Sequence, residues 1–190
     1  MNQIKTKDKM TSSDKEVRSF NLSILTENKS GLLNAVTIIF TRRKINIESI
    51  NVSETEVEGV SRYTIVIEST KEQVEKVVKR IRKLIDVFWA FVYENEEIYY
   101  QEIALYKVPT KAFLNGDNAE HLVRNNGARI LVIEEDFIII EKTGHQKETK
   151  NLLEKLKPFG VMEFVRSGRI ALSKSTRRTD SFLQELHNHH

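Results

Sequence analysis

The strongest constraint on this chain is a sequence of changing periodicities that it runs through twice. In "FNLSIL", residues 20–25, Phe20, Leu22 and Ile24 fall on one side, the period of two expected of a half-buried strand. The period then lengthens, with Leu32, Ala35, Val36, Ile39 and Phe40 at helical spacing through to about Arg43. Ser30 stands where an N-cap would accept a backbone N–H. "INIESINVSE" returns to alternation through Ile50 and Val52, "EVEG" makes a turn, and "VSRYTIVIES" sets Tyr63, Ile65 and Ile67 on one face. From Lys71 to Leu84 a helix aligns Val74, Val77, Val78, Ile81 and Leu84, with Glu72–Lys76 and Glu75–Lys79 at i,i+4. "DVFWAFVY" closes the unit. This order, β, α, β, β, α, β, is the split βαβ of a ferredoxin-like sandwich, whose sheet carries helices on one face only.

"ENEE" interrupts the pattern at 94–97, and then the order repeats more faintly. "IYYQEIALYKV" reads as a strand. Asp117 and Glu120 bracket a short helix with Leu122 and Val123, ended by Gly127. "ARILVIEE" and "FIIIEKT" are two strands about a tight Glu-Asp turn, and "KETKNLLEKLKPFG" is a helix with Leu152, Leu153 and Leu156 inward, stopped at Pro158 and Gly160. "VMEFVRSGRIALS" supplies the last β region. The expected fold class is therefore α+β, two ferredoxin-like βαββαβ domains with flexible polar tails. The divisions are a leader at 1–18, a first domain at 19–94, a linker at 95–98, a second domain at 99–175 and a tail at 176–190.

Composition narrows the function. With 39% hydrophobic and 30% charged residues the 190-residue chain describes a soluble globular protein. No apolar stretch approaches the roughly 18 residues of a membrane span, and the leader lacks the apolar core of a secretory signal. Zero cysteines removes thiol catalysis, disulfides and thiolate metal sites, and the expected location is cytoplasmic. The pI of 9.0 rests on a net charge of only +3. The densest basic group, Lys79, Arg80, Arg82 and Lys83, shares its helix with Glu72 and Glu75 and reads as a solvated surface, not a nucleic-acid face. No phosphate loop or metal-ligand spacing is present. "RSGR", residues 166–169, reads as a basic turn, His121 and His145 as surface or packing residues, and Glu134, Glu135 and Asp136 as a solvated turn. The chain is poorly equipped as an enzyme.

Three stretches then take on a specific likeness. "LTENKSGLLNAVTIIFTRRKINIESINVS", with "SRYTIVIE" and "KLIDVFWA", resembles the ACT domain of the small regulatory subunit of acetolactate synthase (acetohydroxyacid synthase). "FGVMEFVRSGRIALSKS" is similar to the C-terminal domain of the same subunit, so the likeness runs from about Phe20 to Ser175. The resemblance implies a non-catalytic subunit that binds the large catalytic subunit, raises its activity, and confers feedback inhibition by valine or another branched-chain amino acid. It implies no cofactor on this chain, with thiamine diphosphate, Mg and FAD on the catalytic partner. It also implies a homodimer through the ACT domains, with effector sites where two domains meet, and neither nucleic acid nor membrane as partner. The alternatives are a stand-alone amino-acid-sensing ACT protein and a ligand-responsive nucleic-acid regulator; a small hydrolase is the weakest.

Carried over by position, the effector residues are Asn28, Ser30, Gly31 and Leu32 at the first strand-to-helix loop, and Asn46 and Ile47 in "NIES". A zwitterionic amino acid needs donors for its carboxylate, acceptors for its ammonium group and an apolar slot. Free N–H groups at a helix start suit the first, Gly31 removes a Cβ from the approach, and an Asn offers both donor and acceptor. Leu32 and Ile47 can accept an isopropyl group or serve the domain's own core. Where the family usually has "RGYNIES" this chain reads "RKINIES", so Lys44 must take up the backbone shape that glycine would have there.

Overall fold

The computed structural model describes residues 16–114 and 119–175; most of the proposed leader, all of the proposed tail and Asp117 lie outside these. The chain divides into two compact units, one of residues up to Ile98 together with those from Ser173, the other Tyr99–Leu172.

In the first unit, β1 (Arg18–Glu27), α1 (Leu32–Thr41), β2 (Ile47–Glu54), β3 (Val60–Ser69), α2 (Lys71–Ile81) and β4 (Val87–Tyr93) follow in the expected order. The sheet is β2-β3-β1-β4, with all three pairings antiparallel. Leu22 lies opposite Ile65 and Ile24 opposite Tyr63, so the alternating positions meet across strands and face one core. Val36, Ile39 and Phe40 of α1 and Val74, Val77, Val78 and Ile81 of α2 close that core. Thr70 caps α2 by accepting from the Gln73 N–H, and Glu72 pairs with Lys76 on its outer surface. Lys79, Arg80, Arg82 and Lys83 are all exposed. Arg82 also donates to the Ala90 carbonyl, tying the end of α2 to β4. Residues Asn95–Glu97 form a 3-10 turn with a capping box between Glu94 and Glu97.

The second unit repeats the topology. It contains β5 (Ile98–Pro109), α3 (Thr110–Leu114), α4 (Ala119–Asn125), β6 (Arg129–Ile133), β7 (Phe137–Gly144), α5 (Gln146–Leu156), β8 (Glu163–Arg166) and β9 (Ile170–Ser173). The strand order is β6-β7-β5-β8, and β9 also pairs with β5. Ala104, Tyr106, Val108, Ile138, Ile140, Leu152 and Leu156 form its core. The Tyr106 hydroxyl donates to the Thr149 carbonyl at 2.7 Å, joining sheet to helix inside that core. Burial pushes the Tyr106 hydroxyl up to about 12. α5 opens with His145 and Glu148 as a reciprocal cap. The His145 N–H bond, foremost, holds the Glu148 carboxyl below its ordinary range. α3 was not expected: five residues are too few to show a period.

"RSGR" joins β8 to β9, the basic connection between strand segments that the sequence suggests. Ser167 exchanges bonds with the backbone of Ile103, donor and acceptor both, at 2.8 and 2.9 Å. Arg169, the last residue before β9, is buried. Its Nε lies 3.6 Å from Glu102 and its guanidinium 3.8 Å from the centre of the Tyr100 ring. Arg166 reaches the same carboxylate at 3.3 Å. Glu102 thus sits in the core-facing phase of β5, held between two arginines.

Candidate functional site

The loop between β1 and α1 is exposed from Glu27 to Gly31 and is anchored from three sides. The Glu27 N–H donates to Asp86 O at 2.9 Å and the Asn28 N–H to Gly59 O at 2.8 Å. The Lys29 ammonium lies 3.2 Å from the Asp86 carboxylate. The Asn28 amide donates to Glu54 at the far end of β2. These ties hold the loop without filling the space above it.

Ser30 is not the helix cap. Gly31 is, with φ +84° and no side-chain hydrogen bond to the first turn. A left-handed residue at this point places the preceding serine too far back to reach the helix N–H groups, and that conformation favours glycine. The outcome is a helix start without a side-chain cap: the Ala35 N–H bonds back to Gly31 O and the Leu32 N–H reaches Lys29 O at 3.5 Å, while no side chain takes an N–H of the first turn. A Cβ built on Gly31 would meet nothing within 4 Å, so the approach is clear. Leu32 is buried, only 5% exposed, and Ile47 packs against the core cluster. The apolar side chain that faces outward here is Leu33, 42% exposed, which the sequence reading passed over because it lies off the helix's buried stripe.

Asn46, exposed just before β2, donates to Glu48 at 2.9 Å. The turn into it keeps a glycine shape. Lys44 has φ +55°, the one left-handed non-glycine among the described residues. The Ile45 N–H closes on Phe40 O at 3.1 Å and the Lys44 N–H on Thr41 O at 3.0 Å. Paired bonds of this kind cap a helix through a left-handed residue.

The two halves of the motif do not meet within one chain. Asn28 is tied to Glu54 at one end of β2 and Asn46 precedes the other end. At about 3.3 Å per residue they lie roughly 25 Å apart along that strand. No free amino acid spans this distance. β2, however, is an edge strand. Two such edges paired antiparallel about a two-fold axis bring the start of one β2 beside the end of the other.

In the second unit β5 runs directly into α3. Thr110 is held there by its N–H to Asp136 O and its hydroxyl to Glu134 O. Among the described residues no group of His, Asp and Glu is arranged to hold a metal ion, and no helix is long and apolar enough to cross a membrane.

Comparison with known proteins agrees with this division. Residues 22–88 match the family described as the AHAS small subunit-like ACT domain, and residues 101–175 match that described as the small subunit of acetolactate synthase. The chain is 35% identical to the acetolactate synthase small subunit of Bacillus subtilis, over 84% of this chain and 93% of that protein. It is 37% identical to the Mycobacterium leprae small subunit, over 82% and 92%. The crystal structure of the Thermotoga maritima small subunit superposes with a TM-score of 0.76 at 28% identity, covering 84% of this chain and 99% of that one. An ACT domain followed by the family's own C-terminal domain, matched along nearly the full length of these relatives, places this chain in the acetolactate synthase small-subunit family.

Proposed function

We propose that this chain docks on a thiamine-diphosphate-dependent catalytic large subunit in the cytoplasm, raises its activity, and makes it answer to valine or a related branched-chain amino acid. Thiamine diphosphate, Mg and FAD belong to that partner and none to this chain. The effector site is composite. Asn28, Ser30 and Gly31 of one copy, with the open start of α1, take the effector carboxylate. Asn46 of a second copy, brought in by paired β2 edges, offers its carbonyl oxygen to the ammonium group. Leu32 and Ile47 back the slot from within the core, and Leu33 lines its mouth. The observation that carries this reading is the separation of Asn28 and Asn46 along an edge strand.

The test is valine inhibition of the complex reconstituted with its large subunit. Gly31→Asp places a side chain and a negative charge at the carboxylate end and should abolish inhibition while activation persists. Asn28→Ala and Asn46→Ala should each do the same alone. Mixed in one dimer they leave one intact site, and about half the response should return. A wild-type complex indifferent to millimolar valine would end the sensing half of this reading; a mixed dimer no better than either parent would end the composite site.

A further inference from the structure

The first sheet has a second face, turned away from α1 and α2. Phe20, Leu22 and Ile24 of β1 pack with the helices, so Asn21, Ser23 and Leu25 take the opposite phase. In register they lie beside Tyr93, Phe91 and Trp89 of β4. Those three rings form a ladder along the edge strand, Trp89 on Phe91 at 5.9 Å and Phe91 on Tyr93 at 6.1 Å. On the same face Leu25 and Val66 are only 2 and 5% exposed. Apolar burial of that depth, on a face turned from both helices, calls for a cover. Burial, foremost, also holds the Tyr93 hydroxyl above its ordinary range, and Ser173 bonds to it.

The chain's own residues 176–190 fit that cover in path, charge and pattern. Ser173 and Lys174 group with the first unit, and the Lys174 N–H donates to Glu97 O at 2.9 Å. The chain therefore leaves the described residues at the Tyr93 end of the ladder. Glu94, Glu96 and Glu97 gather at that exit, and among the described residues only Glu94 has a paired cation, Arg18 at 3.4 Å. Arg177 and Arg178 follow within four residues of Lys174 and carry the complementary charge. Asp180 and Ser181 then open a run in which Phe182, Leu183 and Leu186 share one helical face and Gln184 and Glu185 the other. A helix over 181–188 spans about 12 Å, close to the roughly 13 Å of strand from Tyr93 to Trp89. The family's C-terminal match ends at residue 175, so this segment lies beyond it. We infer that residues 181–188 pack as an amphipathic helix on the aromatic ladder and Leu25 of the same chain, with Arg177 and Arg178 drawn to Glu96 and Glu97. This contact is independent of the effector site.

Trp89 is the single tryptophan of the chain, so its fluorescence reads the cover directly. Ending the chain at Ser175 should shift Trp89 emission to the red and raise its quenching by acrylamide, in a protein still folded by circular dichroism. Phe182→Ser/Leu186→Ser in the full chain should do the same, and Arg177→Glu/Arg178→Glu should move both readouts part of the way. The sequence has no cysteine, which allows a second readout. Ser23→Cys with Leu186→Cys should close a disulfide within one chain, at a rate independent of protein concentration. Lys76→Cys with Leu186→Cys, its first cysteine on the exposed side of α2, should not. Unchanged emission and quenching in the shortened chain would overturn the inference. So would a Ser23→Cys/Leu186→Cys link that forms only between chains, which seats the segment on a second copy. Shielding of Trp89 that arises only when the large subunit is added would also overturn it, and would give the face to the catalytic partner.

Discussion

Between β1 and α1 the chain passes through an exposed loop and leaves its first helix uncapped by any side chain; between β5 and α3 it passes through none, and Thr110 is fastened by its N–H and its hydroxyl. One strand leads into an exposed loop and the other straight into a helix. An open helix start is an unfavourable thing to leave unless something else supplies acceptors. The second domain also departs from the first in its core. β1 turns Phe20, Leu22 and Ile24 inward, whereas the inward phase of β5 includes Glu102. The first domain therefore sets a helix start with no side-chain cap at an exposed loop, where a ligand can reach it, while the second buries a charged cluster.

That difference is broken most severely at Glu102. Its carboxylate is 6% exposed and faces Arg166 and Arg169. Glu102→Ala removes the counter-charge from the buried Arg169 and should cost roughly 3 kcal/mol, the range for breaking one side of a buried pair. Urea denaturation of the full chain measures this. A loss below about 1 kcal/mol, the range of exposed pairs, would show that the cluster is effectively solvated and that the second core does not depend on it.

Tyr106 tests the same core more gently. Tyr106→Phe keeps the ring and deletes the bond to Thr149 O, a carbonyl that keeps its helical partner, so a loss of about 1 kcal/mol at neutral pH is expected. The pH dependence carries a sharper sign. Burial raises the hydroxyl from 10.0 to about 12, so its contribution is complete below pH 10 and fades as pH climbs toward 12. Wild-type stability should therefore fall across that window. The phenylalanine variant should fall less steeply there. Equal slopes would mean that the hydroxyl titrates normally.

Most of the fold was legible because both periodicities were strong, and they recover the order of strands and helices in each half. The functional loop was legible only in part. Asn28 and Gly31 stand out in the sequence, whereas Ser30 looks like the cap because a serine before an apolar stripe is the usual signal. What decides for Gly31 is its left-handed backbone, which composition does not display. The partners of the two asparagines divide in the same way. Glu48 lies two residues from Asn46, within "NIES" itself, whereas Glu54 is 26 residues from Asn28. The Glu102 cluster escaped sequence reading for the same reason: its members are far apart in the chain, and a basic turn does not show that one of its arginines is buried.

The finest test lies where the two domains agree. α4 ends as α1 does: the Ala128 N–H closes on Val123 O and the Gly127 N–H on Arg124 O, both at 3.0 Å. The left-handed residue is Gly127 in one domain, φ +57°, and Lys44 in the other, φ +55°. The turn and its two backbone bonds are shared, and the left-handed position carries a side chain at one end and none at the other. Lys44→Gly should raise stability by about 0.5–1 kcal/mol, and Gly127→Lys should lower it by a similar amount, both read by urea denaturation. Because Lys44 already holds the glycine turn, replacing it should leave Asn46 where it is and the valine response of the reconstituted complex unchanged. A shifted response with unchanged stability would mean instead that the lysine side chain itself contributes to the effector site.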